Sequence, residues 1–301
     1  MRVVVALGGN ALLRRGERPD SAIQIMHVAQ AAPALAKVAT DHDLVFVHGN
    51  GPQVGMLALE NGADTTLSRP YAFSDLVAET QGLIGYWLQQ GLANAGLVTP
   101  VVTLVTQTVV DPADPAFADK TKFVGSVYTE DQARELARAN DWTVRRDGKG
   151  WRRVVASPMP QRIVEIDIAE LLLQNRVTVV LAGGAGVPVI EGPRGLAGVD
   201  AVVDKDFTAA LIAEVLKADL LVMLTDVSAV LAGFGTPSEE PLRDVTVAQL
   251  EELTFPAGSM GPKVEAACRF VQATGRRAAI GSLDEAADVI SGTSGTQIRL
   301  S

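Results

Sequence analysis

A mainly parallel β-sheet covered by helices is the fold class this sequence predicts, and three observations predict it. Apolar, β-branched runs at residues 3–7, 44–47, 101–105, 177–181 and 220–224 lack the polar alternation of a half-exposed strand, which marks strands buried on both faces. Ala-rich segments with helical spacing of apolar residues separate most of them, at 21–40, 75–95, 166–174 and 207–218. Glycine-rich turns stand at the carboxyl ends of three of the runs, the edge of such a sheet where ligands bind.

The first run ends in Leu7-Gly8-Gly9-Asn10-Ala11-Leu12 and the second in His48-Gly49-Asn50-Gly51-Pro52-Gln53-Val54-Gly55. Glycine reaches left-handed conformations cheaply and has no Cβ to hold an anion away, so turns of this kind let backbone N–H groups converge on a negative ligand. Two ligand-free strand-to-helix turns are the plainer reading. The His, Asn and Gln of the second turn favour a ligand. A third loop, Ala182-Gly183-Gly184-Ala185-Gly186-Val187-Pro188, follows the fourth run. It is no dinucleotide fingerprint, because residues 187–190 continue as extended chain where a helix should open.

Residues 111–162 break the alternation. They open on Asp111-Pro112-Ala113-Asp114-Pro115, hold one helix-like piece at 130–140 and pass through a polar stretch before Trp151-Arg152-Arg153-Val154-Val155. This pattern predicts a protruding insertion, a lid, and not an independently stable domain.

Composition narrows the function. The chain has 301 residues, 48% of them apolar, enough for one large core or two modest ones. Its net charge of −9 disfavours a nucleic-acid surface and favours small-molecule chemistry. The lone Cys268 excludes an internal disulfide, no apolar run approaches a membrane span, and Met1-Arg2 leads into a strand-like run instead of a secretion signal. A cytoplasmic protein is expected. His27, His42 and His48 show no ligand spacing, so no protein-held transition metal is expected. Walker, protein-kinase and nucleophile-elbow motifs do not occur.

Seven of the 26 basic residues are lysine. Lysine meets a phosphoryl oxygen as a point charge, whereas arginine demands a planar fork. Lys37 and Lys217 fall in helix-like segments, as solvated lysines do; Lys122, Lys205 and Lys263 fall among Gly, Thr, Asp and Pro. The triplet Asp204-Lys205-Asp206 is either a local ion pair or a lysine held by carboxylates to neutralise a transferring phosphoryl group. Gly258-Ser259-Met260-Gly261-Pro262-Lys263 opens a helix with proline in its first turn, where an unpaired lysine invites an anion.

Seven blocks in order resemble the carbamate kinases, a branch of the amino-acid kinase family: Val5-Ala6-Leu7-Gly8-Gly9-Asn10-Ala11, residues 48–55, Thr80-Gln81-Gly82-Leu83-Ile84-Gly85-Tyr86-Trp87-Leu88, Val109-Val110-Asp111-Pro112-Ala113-Asp114, Gly150-Trp151-Arg152-Arg153-Val154-Val155, residues 204–207 and residues 258–267. The resemblance covers essentially the whole chain. It implies one domain over 1–301, a three-layer α/β/α sandwich with a small protruding lid subdomain at 111–162. Residues 1–200 would mostly hold carbamate or carbamoyl phosphate, and residues 201–301 mostly ATP or ADP.

By the same resemblance Gly8, Gly9, Asn10, Gly49, Asn50 and Gly51 would surround the small anion, and Lys122 would reach in from the lid. Gly183, Gly184 and Gly186 would line nucleotide phosphates. Thr225, Asp226 and Val227 would border base and ribose, with Met260 and Gly261 also on the nucleotide side. Lys205 and Lys263 would flank the transferring group, with Asp204 or Asp206 fixing the lysines. Mg²⁺ would bridge the nucleotide phosphates, and the protein would be a homodimer. The implied reaction is reversible: ATP and carbamate give ADP and carbamoyl phosphate. It favours ATP formation because carbamoyl phosphate is a mixed anhydride, a direction that suits arginine or agmatine breakdown.

Departures from the family pattern are Ala185 within the glycine loop, Lys122-Phe123-Val124-Gly125-Ser126 in the lid, and Met159 at a usually basic position. They keep open a kinase for another small carboxylate or carbamate-like acid, and a ligand-binding regulator without turnover.

Overall fold

The computed structural model describes residues 1–9, 12–14, 16–255 and 260–301, and at Ser126 the backbone alone. The chain runs β1 (Arg2–Leu7), α1 (Ser21–Asp41), β2 (Asp43–His48), α2 (Gly51–Ala63), α3 (Phe73–Asn94), β3 (Val101–Thr103) and β4 (Gln107–Val110). Next come β5 (Lys122–Tyr128), α4 (Glu130–Asn140), β6 (Thr143–Asp147), β7 (Gly150–Val155), β8 (Pro160–Ile163), α5 (Ile166–Gln174) and β9 (Thr178–Val180). There follow β10 (Val187–Gly192), β11 (Gly195–Gly198), α6 (Lys205–Val215), β12 (Leu220–Thr225), β13 (Leu231–Ala232) and β14 (Glu240–Pro241). The chain closes with β15 (Asp244–Thr246), α7 (Val247–Glu251), α8 (Met260–Thr274), β16 (Arg277–Ser282), α9 (Ala286–Ser291) and β17 (Thr296–Arg299).

Eight strands build the central sheet in the order β15-β17-β16-β12-β1-β2-β9-β3. Its pairs are parallel apart from β16 with β17. Continuous apolar strands are what this burial demands, since successive side chains enter opposite layers. In β1, Val4 and Ala6 join one core with Ala209, Ile212 and Ala213 of α6, while Val3, Val5 and Leu7 join the other with Val28 and Leu35 of α1 and Leu88 of α3. This is the three-layer α/β/α arrangement.

Register decides where the turns fall. Leu7 of β1 lies opposite His48 of β2 on one side and Leu224 of β12 on the other. Three strand ends are therefore level, and the turns that follow them stand side by side along one edge.

Several elements differ from the sequence expectation. The strand expected at 101–105 stops at Thr103, and Val105 is 56% exposed where the chain leaves the sheet. It resumes as β4 in a second sheet, ordered β11-β10-β4-β8. Residues expected as a turn continue as helix α2, which Pro52 starts well because its missing N–H is not needed in the first turn. Strands β16 and β17 were not anticipated; the small residues of Arg277–Ser282 mute their apolar signal.

From Val110 the chain leaves the second sheet and returns to it at Pro160. Within that excursion β5, β7 and β6 form a separate three-stranded sheet with α4, whose start carries a capping box between Thr129 and Gln132. Val124 and Val155 of this sheet pack against Val54, Phe73, Leu76 and Val77 of α2 and α3.

Candidate active site

The level strand ends place Gly8 and Gly9 between the turn after β12 and the turn after β2. Gly8 N donates to Leu224 O at 3.0 Å, and Gly49 N donates to Leu7 O at 3.1 Å. A Cβ at Gly49 would lie 3.3 Å from Gly9 N and 3.5 Å from Cδ of Lys205, so the glycine lets one turn and the lysine stem close together. Helix α2 begins directly at Gly51, and its first-turn amides lack intrahelical partners and face this edge. Asn10, Gly258 and Ser259 lie outside the described residues.

Charge gathers at the start of α6. Asp206 is buried, with a side chain 4% exposed, and pairs through Oδ1 with Lys205 Nζ and through Oδ2 with Lys263 Nζ at 3.1 Å. Burial alone would raise its pKa, but the two ammonium groups and their hydrogen bonds outweigh burial and hold the carboxyl below its ordinary value. Burial pushes the Lys205 pKa down; Asp206 pulls it up by less, and Lys263 adds repulsion. Two cations on one carboxylate leave one positive charge uncompensated. Such a cluster suits an anion.

Asp204 does a different job. Its Oδ1 accepts from Asp206 N at 2.9 Å, capping α6, and its Oδ2 accepts from Lys122 Nζ at 3.1 Å. The question of which aspartate holds the lysines thus has a divided answer. Asp206 holds Lys205 and Lys263, and Asp204 holds Lys122.

Asn50 turns inward. Its Nδ2 donates to Thr80 Oγ1 of α3 at 2.8 Å, its exposure is 4%, and a Cβ at Gly184 would fall 2.2 Å from that nitrogen. A Cβ at Gly183 would likewise meet His48 Nε2 at 2.3 Å. The loop of Gly183, Gly184 and Gly186, expected around nucleotide phosphates, is therefore buried against the turn that carries His48 and Asn50. Sheet order separates it from Thr225, Asp226 and Val227 by the ends of β1 and β2. Ala185 has φ +75° and Ala182 has φ +49°, so the departure from an all-glycine loop carries backbone strain.

Of the remaining residues expected on the nucleotide side, Thr225 is half-buried beside Gly8, Val227 is half-buried, and Asp226 is exposed with Thr225 Oγ1 donating to its Oδ1 at 3.0 Å. Met260 packs against the core at the start of α8, and Gly261 follows it.

Sequence reasoning gave no bracing role to the buried polar residues behind these turns. Gln81 Nε2 donates to Thr106 O at 3.0 Å while its Oε1 accepts from Thr106 N at 2.8 Å; Thr106 Oγ1 accepts from Ala182 N at 3.1 Å. His48 is fully buried, donates from Nδ1 to Gly49 O at 3.0 Å, and has its pKa lowered to about 4 by burial. A signal existed for two of them. Thr80 and Gln81 occupy the same helical stripe as Leu76, Val77, Ile84 and Leu88, where polar side chains need a buried partner.

This geometry is that of an anion-handling α/β enzyme, with main-chain turns and three lysines around one edge of the sheet. A family model of the amino acid kinase family matches residues 1–282, and the chain belongs to that family. It is 47% identical over 302 aligned positions to a carbamate kinase of Rhizobium meliloti (strain 1021), covering 99% of this chain and 93% of that one. With a carbamate kinase of Escherichia coli (strain K12) it shares 46% identity over 298 positions, 99% of each. The solved carbamate kinase from Giardia lamblia bound to AMP-PNP superimposes with a TM-score of 0.93 at 40% identity, covering 100% of this chain and 98% of its own.

Proposed function

We propose that this chain is a carbamate kinase, transferring a phosphoryl group reversibly between ATP and carbamate. The likeness to carbamate kinases of 46–47% identity along 99% of the chain carries this reading. The charge arrangement supports it. Carbamate oxygen is already an anion, so no protein nucleophile is required; catalysis consists of aligning two negative reactants and neutralising charge on the attacking and leaving oxygens.

In this reading Lys205 and Lys263 flank the transferring group, aimed by Asp206. The turns at Gly8, Gly9, Gly49 and Gly51 surround the small anion, with the amides of Gly9 and Gly51 turned to it while those of Gly8 and Gly49 stay bonded to the strand carbonyls of Leu224 and Leu7, and the loop of Gly183, Gly184 and Gly186 backs them. The nucleotide lies toward Thr225, Asp226, Val227, Met260 and Gly261. Lys122 closes the site from the small sheet. Magnesium, when bound, adds positive charge to the phosphate oxygens. Asp204 and Asp206 are both committed to lysines, which suits an ion that arrives on the phosphates and keeps its waters. A homodimer in a cytoplasmic setting completes the reading, and sedimentation velocity tests the oligomeric part.

The functional test mixes the folded protein with ADP, Mg²⁺ and carbamoyl phosphate and follows ATP. Rapid, protein-dependent ATP formation is expected. Its absence overturns the assignment of the activity and leaves the fold untouched.

A further inference from the structure

We propose that Arg153 is a positioning residue that aims Lys122, by pinning the small sheet to the body of the protein at one fixed point. The inference deepens the reading just given and rests on the role of Lys122 in it.

Register supplies the first step. Lys122 lies opposite Val155 and Val124 opposite Arg153 in the antiparallel pair of β5 with β7. Directly opposed residues share a sheet face, as do residues two apart, so Lys122, Val124, Arg153 and Val155 lie on one face. Val124 and Val155 bury that face against Phe73, Leu76 and Val77 of α3. The face thus has an apolar pair and two cations.

Each cation meets an aspartate from the short segment between β11 and α6, but the two contacts are built differently. Arg153 donates to Asp200 Oδ2 at 2.6 Å, and its side chain is 14% exposed. Its guanidinium carbon lies 4.8 Å from the Phe73 ring centroid and 4.5 Å from that of Trp142. Phe73 belongs to the body and Trp142 to the link between α4 and β6 of the protruding unit, so the guanidinium is clamped between the two units. A planar, weakly hydrated cation fits that slot; an ammonium of the same charge cannot stack on two rings at once. Among the described residues Lys122 pairs with Asp204 alone, at 3.1 Å, and is 40% exposed. One contact is a pivot, and the other is free to exchange Asp204 for a ligand oxygen.

The strand itself shows why the pin lies where it does. The pairing of β5 with β7 is regular from Lys122 to Val124 and shifts before Tyr128, with Gly125 at φ +70° just past the last regular pair. Arg153 faces that last regular residue. The pinned stretch therefore contains Lys122, and the irregular stretch begins on its far side.

Arg153→Lys keeps the charge and loses the stack, so it isolates positioning. We expect turnover to fall about tenfold with the KM for ADP unchanged, since a lid residue acts on the closed complex. Amide exchange at residues 122–124 should quicken in the same variant. In a Lys122→Ala background Arg153→Lys should cause no further loss, because its effect passes through Lys122. Arg152→Lys is the control: Arg152 pairs with Asp147 and faces Phe123 within the small sheet, so its replacement should leave turnover unchanged. Asp200→Asn, altering a half-exposed partner, should repeat the Arg153→Lys effect more weakly and stands in if that variant folds poorly.

An equal loss from Arg153→Lys with and without Lys122 overturns the proposal, as does no loss at all. Should Lys122→Ala itself retain full turnover, the assigned role of Lys122 falls separately. Exchange then decides the pin: faster exchange at 122–124 upholds it, and unchanged exchange removes it.

Discussion

Lysine meets aspartate twice beside the level strand ends, in two regions that use the same chemistry at different depths. In the body, Asp206 is 4% exposed and grips Lys205 and Lys263, themselves 12% and 13% exposed. At the small sheet, Lys122 is 40% exposed and touches Asp204, 18% exposed. Coulomb attraction strengthens and desolvation deepens together as charges leave water, so the buried trio is rigid and costly to disturb. The exposed pair is cheap to make and to break. In the proposed reading both are useful: the buried trio supplies fixed charge to the transferring group, and the exposed pair supplies charge that a substrate can exchange.

The strongest way to break this comparison is Asp206→Asn. It leaves two buried ammonium groups without a counter-charge, so unfolding free energy should fall by about 3–5 kcal/mol. Chemical denaturation measures it. A loss below about 1 kcal/mol would make the trio no different from a surface pair.

Lys205→Ala sharpens the contrast, because Lys263 still pairs with Asp206 and the carboxylate is not orphaned. Turnover should fall roughly a hundredfold, about 3 kcal/mol in the transition state, with a stability loss clearly smaller than that of Asp206→Asn. Lys205→Arg should not restore the rate, since a planar fork cannot replace a point charge there. The pH dependence separates the same two quantities. With its folded pKa below the ordinary 10.5, Lys205 releases its proton earlier in the folded than in the unfolded state, so between those values stability rises with pH while turnover falls. Asp206 acts at the other end: its folded pKa lies below 3.8, so the stability it contributes is full above 3.8 and is lost as pH falls through the folded value. Paired pH profiles of melting and rate check both signs.

Lys122→Ala probes the exposed contact. Stability should change by less than about 1 kcal/mol, while turnover falls about tenfold and ADP affinity holds. Selective loss of ADP binding would move Lys122 to the nucleotide side.

The smallest effect belongs to the loop behind the anion turn. Ala185→Gly relieves a positive φ worth about 1–2 kcal/mol but removes a buried methyl worth about 0.8 kcal/mol. The thermal midpoint should rise by a few degrees at most. A clear drop would show that the methyl, packed against Val110 and Val203, outweighs the strain.

Legibility in the sequence followed the range of the forces. Residues 3–7, 44–47 and 220–224 were readable as strands because burial on both faces imposes an apolar run that no turn or surface helix needs. Helix α2 was not, because Gly51, Pro52 and Gly55 are turn formers locally and only the neighbouring α3 and β5 make a helix the better state. Lysines 122, 205 and 263 stood out by their glycine- and aspartate-rich surroundings, whereas Arg153 looked like its neighbour Arg152. The rings that distinguish it come from Phe73, distant in the chain, and from Trp142 at the head of the β6–β7 hairpin, and only the folded chain brings both onto it.

The layered α/β class, the glycine turns at strand ends and the residue types able to meet phosphate are written locally in the chain, because periodicity and local conformational preference act over a few residues. Only the tertiary structure decided that Asp206 serves two lysines and Asp204 a third, and that Asn50 faces Thr80. It also placed the loop of Gly183, Gly184 and Gly186 against His48 and Asn50. Those outcomes depend on strand order and register, which are set by the fit of whole layers against one another.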